Sequence, residues 1–511
     1  MTQRKVMMFK SIETECDYSN LLRQVSTSTI LECIYEISRD VFVKGMSVES
    51  LTKHIKDYDP VSCRILNHRV IIQPWQFPDL AYYAIKFSND YRGFEQLTQN
   101  AFYCILSQTN AFLELDSKRV VKQLENKRDI YLYLCGFSGE QFKYQRPSKV
   151  YYNMIRELYI VFELSKKCNS KIKPPEIIRI ETGVEWERLV KLLFEIYLDS
   201  LLHNSVFDCF EQLDLGNDKE KEDLKRIINY YTATYDEIRK SNLGRQIFYA
   251  KPFVKTQKGK VLTVSVFFNS FMIEHAPLWI IRNYYQKLDK RDFTSEFGKW
   301  FEEYFREVSS YFKIKTTKIQ ENPEKQRSDW LLEIGKHTFL IEQKSSIVPL
   351  SVKQQSTDLE TYKRTIETTI HKALRQLFTT EKDLKITEPI KILLFYDDYI
   401  DPNLLPYVFN EKCPVENDHR YFIANIIELE MLFSLSSSDE VLFEKVINEM
   451  LDRNKNDSNM GISIIDIMQQ LGYSDNPYWL NPIFQKYKNL LYEAKNAHKL
   501  YKEYDNESVL L

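Results

Sequence analysis

Ser328-Asp-Trp-Leu-Leu-Glu-Ile-Gly-Lys-His-Thr-Phe-Leu-Ile-Glu-Gln-Lys344 is the stretch around which the rest of the chain can be arranged. Two apolar runs, Trp330 to Ile334 and Thr338 to Ile341, flank Gly335-Lys336, and glycine at the first central position suits a two-residue type II′ hairpin turn. Pairing Ile334 with His337 carries Asp329 opposite Glu342, with Cβ atoms about 5 Å apart. Side chains alternate along a strand, so Glu342 and Lys344 share a face while Ile341 and Gln343 point the other way. Three ionisable groups converge at one end of the hairpin.

Two carboxylates at that separation repel unless a cation neutralises them, and a hard divalent ion with oxygen ligands does so economically. A lysine beside such an ion can hold or deprotonate a water for attack on a phosphodiester, while the metal takes up developing charge. A cross-strand salt bridge on the surface would use the same residues. The bare triplet is also cheap, since Asp116-Ser-Lys118, Asp223-Leu-Lys225, Asp383-Leu-Lys385 and Glu493-Ala-Lys495 all fit it. Only Glu342 follows a run such as Thr338-Phe-Leu-Ile341 and faces an aspartate across a turn.

Outward from the hairpin, residues 291 to 430 read as helix, three strands, helix and two strands. In Thr294-Ser-Glu-Phe-Gly-Lys-Trp-Phe-Glu-Glu-Tyr-Phe305, Phe297, Phe301, Tyr304, Phe305 and Val308 make a buried stripe. Glu296, Lys299, Glu303 and Glu307 make a wet face, and Glu302 lies between them beside Gly298 and Ser309, whose small side chains leave space. The stretch Asp358 to Phe378 carries a second stripe through Leu359, Tyr362, Ile366, Ile370, Ala373 and Leu377. Lys372 and Gln376 stand one turn apart on it with Arg375 adjacent, a ridge suited to phosphate. Ile390-Lys-Ile-Leu-Leu-Phe-Tyr396 reads as a buried strand, and Tyr421 to Phe433 as a strand passing into a helix.

These residues resemble the PD-(D/E)XK nuclease superfamily, the restriction-endonuclease-like fold. Asp329 matches its metal aspartate, with Ser328 in place of the motif's proline, and Glu342-Gln-Lys344 matches its E-x-K. Residues 294–305 resemble the recurrent G-x-x-F-E-x-Y pattern, which points to Glu302, and Lys372-Ala-Leu-Arg-Gln-Leu377 resembles the helix of RecB-like members, which points to Gln376. The resemblance covers about 140 of the 511 residues. It implies an αβββαβ core, a Mg²⁺ ion (or Mn²⁺) on Asp329, Glu342 and Glu302, Lys344 positioning the attacking water, Gln376 supporting the site, and Lys372 and Arg375 touching nucleic acid. DNA is expected as substrate ahead of RNA. Standalone proteins of this arrangement resemble bacterial nucleases of restriction or anti-phage defence.

The remainder is helical. Residues 1–245 form a large helical region for recognition, regulation or a protein partner, with Lys171-Ile-Lys-Pro-Pro175 as a stop. Residues 246–290 hold a β-hairpin, from Phe248-Tyr-Ala-Lys-Pro-Phe-Val-Lys and Lys260-Val-Leu-Thr-Val-Ser-Val-Phe-Phe268 around Thr256-Gln-Lys-Gly259, followed by a linking helix. The nuclease-like domain spans 291–433, and a helical acidic extension spans 434–511, opening on the loop Ser434-Leu-Ser-Ser-Ser438. His275-Ala-Pro277 and Asn476 to Pro482 read as turns packed by aromatics. The pattern of an arginine and a histidine within a helix, as in HEPN ribonucleases, is not met by Arg64-Ile-Leu-Asn-His68, where only three residues intervene.

Composition removes other classes. Only 12 of 511 residues are glycine, and none form a G-x-G pair, which excludes the dinucleotide turn, the Walker A loop and the nucleophile elbow. No apolar run is long enough to span a bilayer, the first ten residues lack a signal-peptide core, and a cytoplasmic location is expected. The eight cysteines show no C-x-x-C and the eight histidines no H-E-x-x-H, so reduced, buried thiols are expected. A net charge of −2 hides unequal segments: residues 311–380 hold 12 Lys and Arg against 8 Asp and Glu, while 381–511 hold 13 against 23. The expectation is an α+β protein acting as a metal-dependent nuclease, with a non-catalytic helical interaction or nucleic-acid-binding protein on the same core as the alternative.

Overall fold

The structure is a computed structural model that describes residues 7, 9–44, 74–122, 124, 126–134, 150–202, 218–288, 292–320, 322, 325–345, 366–397, 418–455, 463–473 and 478–492. It is mixed α and β, mostly helical, with two small mixed sheets. Among the described residues no helix is long and apolar enough to cross a membrane. The segment 64–68 lies outside the described residues.

The larger sheet has five strands in spatial order β4 (Lys315–Lys318), β5 (Trp330–Ile334), β6 (His337–Lys344), β7 (Ile390–Phe395) and β8 (Tyr421–Asn425). The first three run antiparallel, and β6, β7 and β8 run parallel. Ile334 pairs with His337 across Gly335, whose φ of +57° is the left-handed conformation such a turn requires. The ladder closes at Trp330–Ile341. There the Asp329 N–H donates to the Ile341 carbonyl at 3.1 Å, one residue short of the partner that the regular register assigns.

Helices cover both faces. The helix Asp292–Tyr311 buries Phe297, Trp300, Phe301, Tyr304, Phe305 and Val308 completely, and these join Trp330, Leu332, Ile341 and Ile392 in one core. Each such side chain contributes about 1.5–3 kcal/mol through burial. On the opposite face, Ala373, Leu374 and Leu377 of the helix Lys372–Leu384 pack against Leu340, Leu393 and Phe395. Asn425 caps the helix Ile426–Ser438 in a reciprocal capping box with Glu428.

The expected wet face of Asp292–Tyr311 is only partly wet: Lys299 is exposed, whereas its three glutamates are buried or half-buried. Glu296 is buried and accepts from Ser170 Oγ at 2.6 Å and the Lys171 N–H at 3.1 Å, while Lys167 pairs with both Glu303 and Glu307. An N-terminal helical layer caps these acids, which the isolated helical wheel does not reveal. Ser434–Ser438 is helix rather than loop: Phe433, Ser434 and Leu435 are buried and hold the last turns in the core, and the hydroxyls of Ser436, Ser437 and Ser438 turn back to carbonyls three or four residues earlier. His275-Ala-Pro277 lies inside the helix Val266–Lys287 rather than in a turn. The Lys171–Pro175 stop is also a start, with Pro174 opening the helix Pro174–Thr182.

The hairpin before the helix Val266–Lys287 is shorter than expected. β2 (Phe253–Lys255) and β3 (Val261–Thr263) pair antiparallel, and β1 (Thr232–Thr234) adds a parallel strand that the sequence reading did not place. Ile247–Ala250 is helical, and Ser265 caps the helix that follows β3. Cys16, Cys33 and Cys168 are free thiols, whereas Cys104 is disulfide-bonded, contrary to the expected eight reduced cysteines.

One buried cluster ties the helical layer to the sheet. Arg156, from the helix Val150–Leu158, reaches Glu430 through Nη2 at 2.6 Å and Nε at 2.8 Å, Tyr304 at 3.0 Å and Asn153 at 2.7 Å. Arg156 and Glu430 are only 3 % and 1 % exposed. Breaking a buried pair strands the remaining charge, so Arg156→Met is expected to cost roughly 3–5 kcal/mol of unfolding free energy in denaturant titration. Arg156→Met combined with Glu430→Met is expected to recover a large part of it. A loss below about 1 kcal/mol, the range of exposed pairs, would show that this cluster does not hold the two parts together.

Candidate functional site

The site forms where the hairpin ladder ends. Asp329 is fixed on both backbone sides, its carbonyl accepting from the Ile319 N–H at 2.9 Å. Its Oδ2 accepts the Gln343 N–H at 2.8 Å, so a side chain replaces the missing rung of the ladder. Ser328, which stands where a proline occurs in the motif, uses the N–H that proline lacks: it donates to Thr380 Oγ1 at 2.6 Å and fastens the strand entry to the helix Lys372–Leu384.

Glu342 is 2 % exposed. Its Oε1 accepts from Lys344 Nζ at 2.5 Å, while its Oε2 is buried with no hydrogen-bond partner among the described residues. Burial, and then the charge of Asp329, push its pKa up to about 8, against partial relief from Lys344 and Lys318. Lys344 Nζ also donates to Gln376 Oε1 at 3.1 Å, and Gln376 Nε2 donates to the Arg327 carbonyl at 3.2 Å. Glu342, Lys344 and Gln376 therefore form one chain of contacts, of which the shared strand face predicts the Glu342–Lys344 part.

Glu302 joins from the other side of the sheet, through a residue that sequence reasoning missed. Lys318, at the end of β4, lies 3.2 Å from Glu302 Oε2 and 3.3 Å from Asp329 Oδ1, with its ammonium 4.7 Å from the Trp330 ring centroid. Strand alternation places Lys318 on the Trp330 face, and this was the available signal. Gln343 was also missed: it accepts from Trp330 Nε1 at 3.1 Å and donates to the Phe301 carbonyl at 2.8 Å, holding β6 to the helix one residue before Glu302.

Gly298 does not open space beside Glu302. A Cβ there would stand 3.2 Å from Ser345 Oγ, so the glycine admits the end of β6. Lys372 and Arg375 are exposed, and among the described residues no ion pair or hydrogen bond joins them to the site. Asp383, from a competing triplet, is bound to Lys325 and Arg327, whose hydrogen bonds hold its pKa below the usual carboxylate range.

Among the described residues, no group of three or more His, Cys, Asp and Glu side chains is placed to hold a metal ion. Asp329 and Glu342 offer two carboxylates, with Glu302 held against Lys318. The unpartnered Glu342 Oε2 and the repulsion from Asp329 that helps raise the Glu342 pKa fit an added hard cation, which would displace the proton. The chain matches no protein-family model, no curated protein and no solved structure.

The raised pKa has a measurable consequence. Folded Glu342 keeps its proton to about pH 8, whereas an unfolded carboxyl loses it near 4.5, so the folded state binds more protons between these values and stability falls as pH rises through them. Glu342→Gln is expected to exceed the wild type in stability at about pH 8, on the order of a few kcal/mol, with the gap closing toward about pH 5. Parallel thermal-denaturation profiles of the two proteins across this range would contradict the assignment.

Proposed function

We propose that the chain is a metal-dependent nuclease built on a restriction-endonuclease-like αβββαβ core, cutting phosphodiester bonds of nucleic acid, DNA ahead of RNA. The observation that carries this reading is the buried, unpartnered Glu342 Oε2 beside Asp329, next to a lysine held between Glu342 and Gln376. The order of elements from the helix Asp292–Tyr311 to β8 supports it.

Asp329 and Glu342 would hold a Mg²⁺ or Mn²⁺ ion, with Glu302 as a further ligand or orienter once Lys318 yields its place. Such an ion, when bound, supplies Lewis-acid stabilisation of charge on the phosphate oxygens. Lys344 holds a proton at Nζ and orients the attacking water; Gln376 fixes that ammonium by accepting from it. Lys372 and Arg375 are exposed on the same helix as Gln376 and extend the phosphate contact. A cytoplasmic role in bacterial anti-phage defence, with the N-terminal helical region sensing a protein partner or trigger, follows from the family resemblance alone.

The test is cleavage of DNA and RNA substrates by the purified chain with Mg²⁺, with Mn²⁺ and with chelator. Asp329→Ala, Glu342→Ala and Lys344→Ala are each expected to lower the rate on the order of a hundredfold or more, with cleavage lost in chelator. Cleavage indifferent to all three substitutions would sink the site. Absence of any cleavage together with retained nucleic-acid binding would favour the alternative, a non-catalytic binding module on a nuclease-like core.

A further inference from the structure

Away from the sheet edge, a cavity of about 470 Å³ lies between the helix Val266–Lys287 and the segments around Tyr231 and Lys251. That volume falls within the range of small-molecule sites. Its walls are aromatic: Tyr230, Tyr231, Tyr249, Phe271 and Trp279 line it, with Tyr249 and Phe271 already stacked at 5.5 Å. Such walls favour a flat ring system.

The polar lining is one-sided. Lys251, His275 and Lys287 line the cavity, and among the described residues no Asp or Glu does. Lys287 is paired with Glu181 at 2.5 Å, and His275 Nδ1 lies 3.0 Å from Glu157. Lys251 is different. Its ammonium donates to the Tyr230 carbonyl and lies 4.9 Å from the Tyr230 ring centroid, but no carboxylate pairs with it among the described residues. Burial pushes its pKa below the usual lysine range, which an anion in the cavity would reverse.

Tyr231 lines the cavity, but its hydroxyl is shut off from water-sized contact and is not offered to an occupant. Asn283 and Gln286 add amides able to meet the donors and acceptors of a heteroaromatic edge. A purely apolar occupant would leave the half-buried Lys251 ammonium without a counter-charge in the cavity, at a cost.

We propose that this cavity binds a nucleoside monophosphate, with the base between the aromatic walls and the phosphate on Lys251. The site is separate from the sheet edge and does not depend on the nuclease reading. It is tested by calorimetric titration of the full chain with AMP, GMP, CMP and UMP, and with the matching nucleosides and inorganic phosphate. At least one monophosphate is expected to bind with a Kd below roughly 1 mM, about tenfold or more tighter than its nucleoside. Lys251→Met, with its thermal midpoint checked, is expected to weaken that binding by about tenfold or more. Asn283→Trp, on a half-buried wall, is expected to block it. The proposal is overturned if no monophosphate binds at roughly 5 mM, if nucleoside and monophosphate bind alike, or if Lys251→Met leaves binding unchanged while the protein remains folded.

Discussion

A guanidinium sealed from water organises this molecule. Arg156 cannot be desolvated unless its donors find fixed acceptors, and it finds them on three elements: Asn153 on its own helix, Tyr304 on the helix beside the sheet, and Glu430 beyond β8. The adjacent Glu157 performs a related task. It accepts the N–H of Leu278, just after Pro277, and contacts His275, so a carboxylate from one helix supports another where proline interrupts backbone bonding. One short helix thus sets the position of the helix Val266–Lys287, the helix carrying Glu302 and the C-terminal layer. Their apolar residues form one continuous core.

The hairpin was legible because its information is local. Turn glycine, alternation and apolar runs together specified the Ile334–His337 pairing and the shared face of Glu342 and Lys344; Gln376, on a distant helix, was singled out only by the family resemblance. What stayed hidden depends on residues distant in sequence. Lys315-Thr-Thr-Lys318 has no apolar residue to announce its partners, and Lys318 gains its position from Glu302 on one segment and Asp329 and Trp330 on another. Glu296 looked solvated because its helix was considered without the layer above it. Tyr159–Leu164 and Ile366–His371 widen into π-turns, which break the helical period without a distinctive composition.

The unbalanced charge at the sheet edge stands out against a balanced one nearby. Lys391, on the strand beside β6 and paired in register with Leu340, is fully buried. It meets Glu381 at 2.9 Å and Asp418 at 2.8 Å. The fold therefore satisfies a buried ion fully where only structure is at stake. Glu342 is given one lysine and shares its surroundings with a second carboxylate, and one of its oxygens is left open. Glu342 Oε2 is one of several buried side-chain atoms without a partner among the described residues; what distinguishes it is the Asp329 carboxylate that adds to its raised pKa, a departure from consistency that marks a candidate functional position.

The change from antiparallel to parallel pairing at β6 also orders events in time. The β5–β6 hairpin closes across two residues and needs nothing beyond its own sequence, whereas β7 and the helix bearing Gln376 come from farther along the chain and pair only after a crossover. During synthesis, Asp329 and Glu342 can meet well before Lys344 is anchored and before the far face of the sheet is closed. The full set of contacts around Glu342 is a late product of folding, and a chain interrupted between β6 and β7 would carry the two carboxylates without the Gln376 that anchors Lys344.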